Sequence, residues 1–311
     1  MGSPPVLVIG HPSSGTSITC QLIRDYLRVS FGTESQFIAS YHRRLPQYGD
    51  LTVEANLRRL IRDIAQERYF ERSRKFDDFR TTPEAILRDV EVPTYRGVLD
   101  AVFLQLQKHS NMPRWGDKLP VHHRELHILG ELFPDAKYIH IVRDGRDVTL
   151  SVMSRHFGAK NIFTGARDWK ETVEHCDAFV AKLPAGQAME LRYEDLLADP
   201  ALVFARVIEF LDIEDSNGAV IGRIRDEVPA KLVESNAGKW SSQWTREQRL
   251  SFERIACRAL ARHGYETLLD EDSREPGPLA RAYWYCDDKL RKWSRGDYWR
   301  DNFYKLRLRL R

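Results

Sequence analysis

Val6-Leu7-Val8-Ile9-Gly10-His11-Pro12-Ser13-Ser14-Gly15-Thr16-Ser17 is the stretch that decides the fold class of this chain. Its first residues form a short apolar run closed by glycine, the pattern of a strand covered on both faces. Beyond it, Ile18, Leu22, Ile23 and Leu27 recur at helical spacing. A strand that runs through a loop of small residues into a helix is a phosphate cradle. The loop turns its backbone N–H groups inward and the helix start adds the positive end of its dipole. Gly10 and Gly15 have the Gly-x-x-x-x-Gly spacing of a nucleoside-triphosphate loop, yet Thr16 stands where that motif requires lysine.

The same kind of strand is expected at Tyr138–Val142 and Ala188–Leu191. Helical patterns lie between, over about 16–29, 52–70, 95–109, 122–133, 145–156 and 166–182. This alternation predicts an α/β fold: a parallel β-sheet flanked by helices, with helical insertions and a C-terminal helical tail. Ligands of such sheets sit beyond the C-terminal strand ends, so the loops after Ile9, Val142 and Leu191 should share one cleft. Past Asp195 the chain reads as helical. Phe204, Val207, Ile208 and Leu211 mark one amphipathic helix. A second starts at Thr245, with Glu247 and Gln248 in its first turn, and ends near His263-Gly264. Glu275-Pro276-Gly277-Pro278 is a breaker. We therefore divide the chain into a domain over 1–272, with a helical acceptor-side insertion at about 40–110, and an extension over 273–311.

The 311 residues are 42% apolar and 30% charged, a globular composition. A net charge of +3 is too small to imply a nucleic-acid partner, and it is uneven. Residues 273–311 hold eleven Lys or Arg against five Asp or Glu, a surplus of six, which leaves −3 for the rest. Cys20, Cys176, Cys257 and Cys286 stand far apart without a C-x-x-C pair, which argues against a disulfide framework or structural zinc. With no apolar run of about 18 residues and no export-like start, the expected location is cytoplasmic.

A second anion site is legible in Tyr138-Ile139-His140-Ile141-Val142-Arg143-Asp144-Gly145-Arg146-Asp147-Val148. Arg143 leaves the strand, Asp144 can cap the next helix, and Ser151 follows on its second turn. The alternative is a surface turn on which Arg143, Asp144, Arg146 and Asp147 pair with one another. Two anion sites at neighbouring strand ends suggest a nucleotide with phosphates on both sides of its ribose.

At this point the sequence resembles the PAPS-dependent sulfotransferases, which use 3′-phosphoadenosine 5′-phosphosulfate, over roughly residues 5–265. Pro12-Ser13-Ser14-Gly15-Thr16-Ser17 resembles their 5′-phosphosulfate loop, and Ile141 to Asp147 with Ser151 their 3′-phosphate motif. Gly32-Thr33-Glu34-Ser35-Gln36-Phe37, Trp115-Gly116-Asp117-Lys118-Leu119-Pro120, Arg192-Tyr193-Glu194-Asp195-Leu196 and Gly238-Lys239-Trp240 resemble further landmarks in the family's order. The resemblance implies PAPS as co-substrate, no metal, and the following roles. Pro12, Ser13, Ser14, Gly15, Thr16 and Ser17 hold the 5′-phosphosulfate, and Arg143 and Ser151 the 3′-phosphate. Tyr193 lies by the nucleotide, with Gly238, Lys239 and Trp240 closing over it. Glu34 is the general base and Lys118 the cation at the leaving oxygen. His122 is the second candidate for acid–base work.

Ser13 departs from the family, which places Lys or Arg there. Three readings stay open: Lys118 and Lys239 compensate, His11 or Arg43 swings in, or binding is weak and activity lost. His122-His123-Arg124-Glu125-Leu126-His127 has the look of a metal motif, but Glu125 is misplaced for His-Glu-x-x-His. Arg43, Arg44, Tyr48, Tyr69, Phe70, Phe76, Phe79 and Arg80 are candidate lining for an acceptor pocket. The expected acceptor is a hydroxyl, with an amine as the lesser alternative, of a small molecule, carbohydrate or lipid. The basic, aromatic extension has three readings: a helix packed on the core, a membrane-surface contact, or a homodimer contact. The other functional classes are a nucleoside-triphosphate-dependent kinase and a non-catalytic nucleotide-binding protein.

Overall fold

A computed structural model describes residues 3–119, 123–155, 158–270 and 273–294. At its centre five parallel strands form one sheet: β1 (Val6–Gly10), β2 (Val29–Phe31), β3 (Arg114–Lys118), β4 (Lys137–Val142) and β5 (Ala188–Arg192). Their order is β2-β3-β1-β4-β5, which sets β1 between β3 and β4. Register places Val8 beside both Lys118 and Ile139.

Sequence reading found β1, β4 and β5 and missed two strands. β2 has three residues, too few to show a period. β3 reads Arg-Trp-Gly-Asp-Lys, with a single large apolar residue, and is buried by its neighbours instead. The Trp115 ring stacks on Phe103 at 4.1 Å, and Arg114 donates to the Leu211 carbonyl at 2.8 Å.

The helices follow from capping and periodicity. α1 (Thr16–Leu27) leads from β1 to β2. Five helices then separate β2 from β3: α2 (Ile38–Arg44), α3 (Glu54–Ile64), α4 (Arg68–Phe76), α5 (Pro83–Asp89) and α6 (Tyr95–Ser110). The expected helix over 52–70 is therefore two. α7 (Leu126–Leu132) precedes β4, while α8 (Gly145–Ser154) and α9 (Ile162–Val180) join β4 to β5. The rest is helical: α10 (Tyr193–Ala198), α11 (Pro200–Phe210), α12 (Ala219–Glu227), α13 (Lys239–Gln243), α14 (Arg246–Arg262) and α15 (Pro278–Trp293). Thr245 and Gln248 cap α14 reciprocally, each side chain meeting the other's backbone N–H.

Strand alternation divides the core. Leu7, Ile9 and Tyr138 face one cluster with α3, α6 and α7; Val6, Val8, Ile139 and Leu191 face another with α1, α11 and α12. The segment 40–110 belongs to the first cluster. Tyr48, Tyr69 and Phe79 are buried in it and Phe70 packs against it. Arg43 pairs with Glu125, Arg80 with Asp78, and Phe76 is exposed. These eight candidates do not share one pocket; the aromatic residues among them mainly build the layer that covers the sheet.

A partly exposed polar cluster joins α9, β5 and the end of α14, with His140 of β4 3.7 Å from Asp177. His263 meets Glu190 at 3.1 Å through Nδ1 and Asp177 at 3.2 Å through Nε2. Burial opposes the charge, but the two carboxylates outweigh it and hold His263 up to about 9. A raised pKa contributes stability that is fully present below the unfolded value of about 6.5 and is lost as pH rises through about 9. Urea midpoints should therefore fall between these pH values, and His263→Gln should flatten the fall. Equal slopes for the two proteins would contradict the assignment.

Candidate active site

Every strand delivers a candidate site residue to the same sheet edge, in strand order: Glu34 after β2, Lys118 at the end of β3, the Pro12–Ser17 loop after β1, Arg143 after β4 and Tyr193 after β5. The loop is shaped by glycine. Gly10 (φ 144°) passes the Ile141 carbonyl so closely that a Cβ would lie 2.4 Å from its oxygen. Gly15 (φ 92°) lies under the Tyr193 ring, where a Cβ would meet a ring carbon at 2.2 Å. The Tyr193 ring therefore forms one wall of the loop, and the first N–H groups of α1 remain without an intrahelical carbonyl.

Cations flank the loop on both sides. Lys118 Nζ donates to Ser17 Oγ at 2.7 Å and lies 3.0 Å from Glu34 Oε1. On the β4 side, Arg143 donates to the Ser13 carbonyl at 2.9 Å and to the Asn236 carbonyl, and its guanidinium lies over the Tyr193 ring at 4.8 Å. Ser13 sits at φ 72°, a left-handed conformation that costs a side-chain-bearing residue. Arg143 holds the Ser13 carbonyl; of the cations weighed for the charge missing from residue 13, Lys118 lies beside the loop at Ser17. His11 does not supply it: burial pushes its imidazole down to about 4, so it is neutral near pH 7. Arg43 is engaged with Glu125.

Among the described residues, three polar atoms at this loop are buried without a hydrogen-bond partner: Ser13 Oγ, Ser14 Oγ and Arg143 Nε. Buried donors without partners are costly, and a polyanion would satisfy all three. The phosphosulfate and 3′-phosphate of PAPS therefore fit the groups present.

Below Lys118 lies Asp117, buried, which accepts from the Lys118 backbone N–H at 2.8 Å and from the Ser35 hydroxyl. Burial pushes its carboxyl up to about 7, while the Ser35 and Lys118 hydrogen bonds pull the other way. This carboxyl fixes the segment that presents Glu34. Sequence reading did not single out its role, although Asp117 stands next to Lys118 in the quoted motif.

The Arg143–Asp147 segment is not a surface turn. Asp144 caps α8 by accepting from Arg146 N–H and also binds the buried Arg146 guanidinium, which reaches Glu253 at 3.0 Å. Asp147 accepts from the backbone N–H groups of Gly238 (2.7 Å) and Trp240 (3.0 Å), and Trp240 Nε1 donates to Asp144 at 3.1 Å. The 238–240 segment is thereby strapped to α8 next to Arg143, a role for Asp147 and Asn236 that no local pattern marks. Lys239 Nζ is directed to Asn236 Oδ1 at 2.6 Å. Ser151 lies on α8, which starts directly after Arg143 and Asp144. His122 falls outside the described residues. Nearby, His123, Glu171 and His175 converge, and Arg124 binds both Glu171 oxygens at 2.7 and 2.8 Å.

A family model described as the sulfotransferase family matches residues 4–217, more than half of the chain. The chain belongs to the sulfotransferase family. Its relatives include an uncharacterized protein of Aquifex aeolicus, 26% identical over 67% of this chain; this chain spans only 25% of that protein. The omega-hydroxy-beta-dihydromenaquinone-9 sulfotransferase Stf3 of Mycobacterium tuberculosis is 25% identical over 88% of this chain and 78% of its own length. Among solved structures, the sulfotransferase domain of the curacin biosynthetic pathway has a TM-score of 0.52 at 17% identity, covering 86% of this chain and 100% of that domain. That likeness confirms the fold. Among the described residues, no helix is long and apolar enough to cross a membrane.

Proposed function

We propose that this sulfotransferase moves the sulfuryl group of PAPS to a hydroxyl of a small-molecule, carbohydrate or lipid acceptor. The observation that carries this reading is a phosphate loop with Lys118 on one side and Arg143 on the other. The donor supplies an activated sulfuryl group. In the in-line displacement, the acceptor oxygen–sulfur bond forms as the bond from sulfur to the 5′-phosphate oxygen breaks. Glu34 takes the acceptor proton. Lys118 and the N–H groups of the loop and α1 stabilise charge gathering on the leaving phosphate. Arg143 and Ser151 hold the 3′-phosphate, and Tyr193 with Gly238, Lys239 and Trp240 encloses the nucleotide. The name of the mycobacterial relative, an omega-hydroxy-beta-dihydromenaquinone sulfotransferase, supports a hydroxyl as the accepting group.

Calorimetry with 3′-phosphoadenosine 5′-phosphate and with ATP tests the donor. The bisphosphate should bind more tightly, and Arg143→Met should weaken it roughly ten- to hundredfold through the loss of charge-assisted hydrogen bonds. Ser151→Ala, which leaves the Arg143 contacts to Ser13 and Asn236 in place, should weaken it less. Preference for ATP, or bisphosphate binding indifferent to both substitutions, would overturn the reading.

A further inference from the structure

His123, Glu171 and His175 form a polar cluster outside every role assigned above. His123 opens a short 3₁₀ turn (His123–Glu125) that packs on α9. Glu171 and His175 stand one turn apart on α9 itself and so share a face. One ligand atom from each of the three lies within 4.8 Å of the other two, and the two imidazole rings are 5.5 Å apart between centroids. The pattern from His122 to His127 fails as a local metal motif because its partners come from elsewhere in the chain. His123 meets its companions on a later helix, while Glu125 turns to Arg43.

Both imidazoles are prepared to ligate. His175 Nδ1 donates to the Glu171 backbone carbonyl at 2.7 Å, which fixes the tautomer and leaves Nε2 with its lone pair. A metal-binding histidine is oriented in this way, through its second nitrogen. The His123 Nδ1 atom is buried and has no hydrogen-bond partner, so a lone pair offered there would be satisfied by a cation. Glu171 supplies the third donor. Arg124 binds both its oxygens, but that pair is open to solvent, with Arg124 67% and Glu171 37% exposed, and an exposed pair holds its members weakly. Two histidines and a carboxylate, with water at the remaining position, make a three-ligand zinc set. We propose that His123, Glu171 and His175 bind a divalent transition-metal ion of the zinc class, with the Arg124 guanidinium swinging into solvent as the ion enters. The ion pins the 123–125 turn to α9. It is ancillary to the sulfuryl transfer proposed above, whose candidate residues include none of the three.

Cobalt(II) titration of the full chain, untagged and freed of metal by chelation, tests the site through the visible absorption of a four-coordinate cobalt ion. A single equivalent should bind, zinc(II) should displace it, and zinc should raise the melting midpoint. His175→Gln should weaken binding at least about tenfold, the cost of losing even an outer-shell partner. It should also abolish the rise in midpoint while leaving the metal-free midpoint unchanged, because His175 is exposed. Arg124→Gln should tighten binding roughly two- to fivefold by removing the competing cation. His127→Gln, which deletes the other histidine of the local motif from an exposed position on α7, should change nothing. Three results overturn the proposal: no visible band with cobalt; a band indifferent to His175→Gln, which would make the ion adventitious; or weaker binding in Arg124→Gln, which would make the guanidinium a support of Glu171 and not a competitor. Bisphosphate calorimetry enters none of these, so failure here is separable from failure of the donor assignment.

Discussion

Glu34→Gln is expected to lower the rate of sulfuryl transfer by about 10²–10⁴, the range for removal of a positioned general base, with bisphosphate affinity nearly unchanged. Glutamine has the shape of glutamate, and its carbonyl can still accept from the Lys118 ammonium now 3.0 Å from Glu34 Oε1. The 34–36 segment is fixed independently by Ser35 on Asp117, so the substitution removes basicity and leaves the scaffold. Single-turnover transfer from PAPS, once an acceptor is in hand, measures the effect. A rate within about threefold of the parent would remove Glu34 as base and promote His122, the second candidate.

Lys118→Met should lower the same rate by about 10²–10³, the cost of losing one preorganised donor to developing charge. Methionine keeps the apolar stem and deletes the ammonium that spans Ser17 Oγ and Glu34 Oε1. The bisphosphate should also bind more weakly, because the ammonium faces the loop in the ground state. Lys118→Arg should restore part of the rate, since it keeps the charge and changes its geometry. Because Lys118 and Glu34 are in contact, the double variant should be less impaired than the product of the single effects. Strict multiplicativity, or full activity in Lys118→Met, would show that the pair does not act as a unit.

The features readable from sequence are those written in local signals. The apolar run of β1 entering a glycine-bounded loop, Arg143 at the end of β4 with Asp144 as cap two residues before the N–H it binds, and the Thr245–Gln248 capping box all rest on contacts within a few residues. The family motifs added candidate roles for Glu34 and Lys118 but no distances. β2 and β3 escaped because burial by neighbours, not their own pattern, makes them strands. The aromatic residues of 40–110 read as pocket lining because composition does not distinguish a cavity wall from a packed layer.

By itself, then, the sequence determined an α/β chain with a glycine-bounded loop after its first strand, the family to which it belongs and a candidate second anion site. Tertiary structure decided everything that depends on strand order. Placing β3 beside β1 brings Lys118 to Ser17 and Glu34, and placing β4 on the other side brings Arg143 to the Ser13 carbonyl. It also seated α15 beside α9 by burying Asp288 there. The physical reason is range. Turns, caps and periodicity act over a few residues, whereas each of these contacts joins residues from 84 to 130 positions apart, and only the closed sheet with its packed helices sets which of them meet.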